Sequence, residues 1–401
     1  MEDSVSLVEL NNGVVGGYYR VQSESAAICV AARAGSSFEP PGKYGLAHLV
    51  EHMLFKGNEY FESGELDRLV ELSGGEANAY TTREVIMVCA ESVPESIVRV
   101  SQALAKALSA KVMREDEFEA EKKVVIAEAR GYQSSPEALI FRLAAQSVWG
   151  DSYLGRPIEG YPETLESLSV EDAMEYKVRG FSSERVSVAV VGSISRDDAL
   201  NAIRSFEGLE PLGGLIEPTP VNPSTSRIVE ERDVEAAYIA LSIPMPPRYV
   251  VKSLLPQLRG FIFNLEAGAT SILFRKLREE KPLAYSYTVD SQLTSWGGTL
   301  SIVALEVRRD SVEEAIGELE AAVDEASRGG LDDEEWRAGR RRLYRFLTRR
   351  EAISNTERAD NLAASLLLYR EPLTSERLVE ETLKSEWTLP LPKARGVAVI
   401  V

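Results

Sequence analysis

The sequence predicts an α+β protein: two similar α+β domains, each a sheet flanked by helices, related by internal duplication. Three observations carry this. The length of 401 residues exceeds what one hydrophobic core ordinarily supports and suits two domains. The run RVSVAVVG at 185–192 is echoed by ARGVAVIV at 394–401, so each half ends on the same kind of strand. Apolar stretches at 26–32 and 238–243 open the two halves as strands, and between the halves residues 211–226 are dominated by Pro, Gly and Ser, the composition of a linker. The expected division is therefore 1–210, a linker at 211–226, and 227–401. Within each half, helical stretches such as 95–110 and 311–327 alternate with groups of strands. Strands in runs separated by helix pairs favour α+β domains over a doubly wound parallel sheet.

Charge narrows the partners. The formal net charge is −18, which argues against nucleic acid and against anionic membrane surfaces. One basic stretch, 337–350, follows the acidic run at 332–335 on the same predicted helix. Acid at the start and base at the end complement the helix dipole, so the stretch reads as an ordinary helix face. Cys29 and Cys89 each sit alone in an apolar, strand-like run and are expected to be buried free thiols. The chain opens Met-Glu-Asp-Ser, without a basic, apolar leader, and holds no apolar run of membrane-spanning length. A cytoplasmic location is the default expectation.

The most informative segment is GLAHLVEHMLFKG at 45–57. The chain has two histidines, His48 and His52, and both lie here, with Glu51 between them. The flanking Leu46, Leu49, Val50, Met53 and Leu54 read as the apolar face of a helix. On a helix His48 and His52 stack on one face, so they offer two imidazoles to one metal ion. A third protein ligand would leave one tetrahedral position open, the arrangement of a catalytic zinc site, where the metal lowers the pKa of a bound water. Glu51 is placed to take that water's proton. The order His-x-x-Glu-His mirrors His-Glu-x-x-His and is the inverzincin signature. A second predicted helix, 118–130, carries Glu121 and Glu128 two turns apart on one face. Glu128, after the apolar triplet at 124–126, is assigned as the third ligand. Glu121 is expected to orient a ligand or assist the base from behind. One Zn2+ per chain is expected, chosen over manganese or cobalt on ligand type.

With these residues the chain resembles the pitrilysin-type zinc peptidases, in the short two-domain form of the catalytic subunit of mitochondrial processing peptidase. The likeness rests on His-x-x-Glu-His followed by Glu128 at the family's interval. It extends to GGEANAYTT at 74–82, to YLGRPI at 153–158 with Gly160, to SVAVVG at 187–192, and to SILFRKLREEKPLAYS at 271–286. The resemblance implies a metalloendopeptidase acting on peptides or unfolded segments. It implies that the strand with Asn78, Ala79 and Tyr80 pairs with the substrate backbone. It further implies that Arg278 and Tyr285 act on the substrate backbone and the developing oxyanion from the half opposite the zinc. Two domains would make half of a clamshell. Since this chain carries both the zinc motif and the Arg/Tyr pair, a homodimer is expected, with a heterodimer as the other possibility. The competing reading is a non-catalytic scaffold or binding subunit. The sequence departs from the family pattern at 264–270, which replaces a glycine-rich turn. It departs again at 380–392, which is shorter than the helix usual before the final strand and leaves that helix open.

Overall fold

The computed structural model describes residues 5–248, 252–351 and 354–401, with the side chains of 347–351 left out. The basic stretch sits on the helix Asp333–Glu351, acidic in its first turn, and only the side chains at its C-terminal end lie outside what is described.

Two sheets organise the chain. The first comprises β1 (Ser6–Glu9), β2 (Val15–Arg20), β3 (Ala26–Ala32), β4 (Glu76–Thr81), β5 (Ile86–Ser92) and β6 (Val186–Gly192), in the order β1-β2-β6-β3-β5-β4. The second comprises β7 (Arg227–Glu230), β8 (Ala237–Met245), β9 (Ala284–Leu293), β10 (Gly298–Val307) and β11 (Gly396–Ile400), in the order β7-β11-β8-β10-β9. Without β1 the two orders superpose strand for strand. In each sheet a single parallel pair, β2 with β6 and β7 with β11, stands among antiparallel neighbours. The echo between 185–192 and 394–401 is thus the echo of β6 and β11, the last strand of each repeat.

Residues group into two compact units, and the units are not contiguous halves. The chain passes between them at Pro218/Thr219, inside the expected linker. Each repeat also contributes one helix to the other unit. The helix Pro136–Trp149 packs on β8, β10 and β11, where Leu139, Ile140, Leu143 and Ala144 meet Ala240, Val303 and Ala398. The helix Asn355–Tyr369 packs on β3 and β6, where Ala359, Leu362, Ala363 and Leu366 meet Ala27, Ala31, Ala189 and Val191. The small side chains on those strands let each helix lie close to its sheet. Periodicity alone does not reveal the exchange, because either sheet offers an apolar face.

In the first unit, the helices α1 (Leu46–Met53), α2 (Glu65–Leu72), α3 (Ile97–Ser109) and α4 (Glu115–Ser134) accompany the sheet. α1 packs on β4 and on the helix Val170–Gly180, and α3 on β3 and β5. In the second unit the shortened tail still forms a helix, Ser375–Lys384, and Trp387 anchors the segment between that helix and β11. This indole is fully buried and lies 4.3 Å, centroid to centroid, from Trp336. Gly260 makes its seat, since a Cβ there would overlap the ring. Arg340 stacks on Trp336 and donates to the carbonyls of Leu383 and Ser385, which ties the end of the tail helix down. Among the described residues no helix is long and apolar enough to cross a membrane.

Cys29 and Cys89 overturn the expectation of free thiols. They stand directly opposite each other on β3 and β5, Cα atoms 4.1 Å apart, and form a disulfide. The sequence places them 60 residues apart in unrelated runs, and only the antiparallel pairing brings them together. Closing a loop of that length stabilises a fold by about 4 kcal/mol in the chain-entropy picture. Denatured, unreduced protein is therefore expected to titrate no thiol, and two after reduction, with a loss of stability on the order of 4 kcal/mol. Two thiols titrating without reductant would contradict the pairing.

Candidate metal centre

α1 is short, and its sequence alternates what it buries with what it presents. Leu46, Ala47, Leu49, Val50 and Met53 are buried, which turns His48, Glu51 and His52 toward β4 and α4. α4 is anchored by Phe118, Val125, Ile126 and Ala129, while Val124 points to solvent. That anchoring aims Glu121 and Glu128 back at α1.

The two glutamates grip opposite nitrogens of one ring. Glu121 Oε1 lies 2.9 Å from His52 Nδ1, and Glu128 Oε2 lies 3.6 Å from His52 Nε2. His48 Nε2 is 3.3 Å from the same Nε2, and one ligand atom from each of His48, His52 and Glu128 falls within 4.8 Å of the others. Ligands bound at zinc distances, about 2.0–2.1 Å, to a tetrahedral ion stand about 3.3–3.4 Å apart. The His48–His52 and His52–Glu128 separations are close to that spacing, and the donor types suit zinc, so this set fits a zinc ion. Glu128 is 41% exposed on its side chain, which leaves the solvent side of the set open.

Electrostatics prepare the same donors. Burial, reinforced by the neighbouring His52, pushes the His48 imidazole down to about 4, so at neutral pH it is the uncharged form that binds metals. Its Nδ1 is buried and has no hydrogen-bond partner among the described residues. Burial would raise the Glu121 carboxyl, but hydrogen bonds from Lys56 (2.7 Å) and His52 outweigh it and hold the group below its usual range. Glu121 is thus a fixed anion behind His52, which sets that ring's tautomer and orientation. Glu51 is raised by burial, opposed by a 2.7 Å hydrogen bond from Thr81 Oγ1 to its Oε2. A carboxyl raised by burial beside these donors is suited to proton transfer.

The remaining expected site residues divide. Asn78 and Ala79 line an open cleft with Glu51, His52, Lys56 and Glu121. They belong to β4, the edge strand, which pairs only with β5 and leaves its outer hydrogen-bonding groups unpaired by the sheet. Tyr80 lies on the face of the strand opposite Ala79 and Thr81, and its hydroxyl donates to Asp360 Oδ2 at 2.7 Å. Arg278 and Tyr285 belong to the second unit. Arg278 is exposed in the π-helical segment Arg275–Glu280, its guanidinium 5.7 Å from the Phe274 ring centroid. Tyr285 is 69% exposed on β9, an edge strand like β4. Sequence reasoning missed the side-chain roles of Thr81, Lys56 and Asp360. Lys56 lies within the motif's own tail, and Thr81 ends β4. Asp360 lies 280 residues from Tyr80 and left no signal.

Residues 19–161 match the family model described as insulinase (peptidase family M16), and residues 167–343 match the model described as peptidase M16 inactive domain. An uncharacterized zinc protease, YmxG, of Bacillus subtilis is 26% identical over 94% of this chain and 90% of its own length. An uncharacterized zinc protease of Rickettsia felis is also 26% identical, over 95% and 92%. Among solved structures, a protease from Helicobacter pylori aligns with a TM-score of 0.81 at 18% identity, over 99% of each chain. A peptidase M16 inactive domain from Pseudomonas fluorescens aligns with a TM-score of 0.84 at 16% identity, over 99% of this chain and 97% of that one.

Removing the anion behind His52 tests the arrangement. Glu121→Ala is expected to weaken zinc binding by roughly 10- to 100-fold, measured by competition with a chromogenic chelator. Unchanged affinity would mean that Glu121 does not orient the ligand.

Proposed function

The chain belongs to the M16 (insulinase) peptidase family, and on that premise we propose that it is a zinc-dependent endopeptidase acting on peptides or unfolded polypeptide segments. The observation that carries this reading is the convergence of His48, His52 and Glu128 beside a half-buried Glu51 and an open edge strand. His48, His52 and Glu128 would hold one zinc ion. A bound zinc would supply Lewis-acid polarisation of the scissile carbonyl and would acidify an attacking water.

The chain's own residues account for the rest. Thr81 occupies Glu51 Oε2, which leaves Oε1 to take the proton of the attacking water and later deliver it to the leaving amine. β4 offers its free edge, at Asn78, Ala79 and Tyr80, to an extended backbone. Only a peptide without competing secondary structure can add there, which is why the substrate class is peptides and unfolded segments. Main-chain pairing gives affinity with loose sequence preference.

Arg278 and Tyr285, both exposed, are proposed to complete the site of a second copy in a homodimer. The alternative is a non-catalytic scaffold subunit. The model matched at 167–343 is described as inactive, but that stretch excludes the zinc set at 48–128. A cytoplasmic location, expected from the sequence, sits poorly with the Cys29–Cys89 disulfide, which reducing cytosol seldom maintains.

Two experiments test these claims. Wild-type protein is expected to cleave an unstructured quenched fluorescent peptide in a chelator-sensitive manner, and Glu51→Gln to lose at least about 100-fold in kcat while keeping its zinc. A zinc-loaded wild type inactive on every unfolded peptide tried would favour the scaffold. For the homodimer, Glu51→Gln and Arg278→Ala chains, each inactive alone, are expected to regain up to about a quarter of wild-type activity when mixed. Half the dimers are then mixed, and each mixed dimer has one complete site. No regain despite demonstrated subunit exchange would rule out sharing of sites.

A further inference from the structure

The two histidines are held in different ways. Glu121 grips His52 at Nδ1, but His48 Nδ1 has no such partner among the described residues, so no carboxylate orients the His48 ring and its placement depends on the backbone of α1 and on the edge-on contact with His52. His48 is the third residue of an eight-residue helix. A helix that short is marginal by itself, and its first turn exposes amide groups that require acceptors. Gly45, the residue before it, is left-handed (φ 95°) and supplies no side-chain cap.

Glu39 supplies the missing acceptor. Its Oε1 accepts from the amides of Gly45 (3.1 Å) and Ala47 (2.9 Å), and the residue is only 8% exposed. A buried anion at this end also complements the helix dipole. Glu39 is itself fixed in place. Its amide donates to Ser36 O, and the amides of Gly35, Ser36 and Ser37 donate to the carbonyls of Glu84, Thr82 and Arg83. A Cβ at Gly35 would overlap Thr82 O, so that approach requires glycine. The segment carrying Glu39 is therefore tied to the backbone that directly follows Thr81, the residue that holds Glu51. From the other side, Gly160 packs against Gly45, and Thr164 Oγ1 donates to Tyr44 O at 2.7 Å.

We propose that Glu39 is a positioning residue for the metal set: its carboxylate fixes the first turn of α1, and thereby His48, in register with β4. The proposal rests on the zinc reading above. Its test measures zinc affinity by chelator competition, together with hydrogen exchange at the amides of residues 45–48, for wild type, Glu39→Ala and Glu39→Gln. Glu39→Ala is expected to exchange faster at those amides and to bind zinc roughly 10- to 100-fold more weakly. Glu39→Gln keeps a neutral acceptor in the same place and is expected to stay within a few-fold of wild type. Should Glu39→Ala not fold, Glu39→Asp, a methylene too short to reach both amides, carries the same expectation. Faster exchange with wild-type zinc affinity would overturn the proposal while leaving the zinc reading intact. A wild type that binds no zinc would instead remove that reading, and the proposal with it.

Discussion

The first unit is organised around two imidazole nitrogens that face each other at 3.3 Å with a carboxylate oxygen 3.6 Å from one of them. Two imidazole nitrogens and a carboxylate oxygen brought together in a half-buried site need a shared proton or a cation between them. The fold accepts that arrangement and supports it from several directions. Leu46, Leu49, Val50 and Met53 hold α1 on its inner face, and Phe118, Val125 and Ile126 hold α4. Lys56 then fixes Glu121, Glu121 fixes His52, and Thr81 fixes Glu51. Each link joins a side chain on one element to a side chain on another, so the spacing of the donors is a property of packing as much as of the motif.

Among the described residues the candidate donor set occurs in only one of the two duplicated repeats. The sheets share a strand order and a parallel pair, and β9 matches β4 as the edge strand. Their decoration differs. α1, which carries His48, Glu51 and His52, lies between β3 and β4. The corresponding stretch between β8 and β9 holds the helix Leu255–Glu266 and the segment Arg275–Glu280 that contains Arg278, with no histidine. The scaffold was kept and the chemistry was placed in one copy. Because each repeat lends a helix to the other unit, neither unit completes its sheet packing without the other repeat's chain.

Much of this was legible in the sequence, for reasons that vary from residue to residue. His48, Glu51 and His52 announce themselves because helical spacing and metal chemistry coincide in five residues. Glu121 and Glu128 were recoverable because two turns of helix preserve a face. The repeat was visible in β6 and β11, where buried strands leave continuous apolar runs. The contacts that escaped detection depend on tertiary closure. Cys29 meets Cys89 only across the β3–β5 pairing, Tyr80 meets Asp360 only because a late helix returns to the first sheet, and Glu39 reaches α1 only through a turn. The destination of the helix Pro136–Trp149 was equally hidden, since its apolar face suits either sheet. The short tail at 380–392 raised a doubt that Trp387 resolves: a single buried indole anchors the segment that a longer helix would otherwise span.

X-ray absorption at the zinc edge, on purified wild-type protein of known metal content, addresses the central claim most directly. The account predicts one zinc per chain in a shell of nitrogen and oxygen, with the multiple-scattering signature of two imidazoles and no sulfur. Absence of zinc, or a sulfur-containing shell, would contradict it, since neither is compatible with a site built from His48, His52 and Glu128.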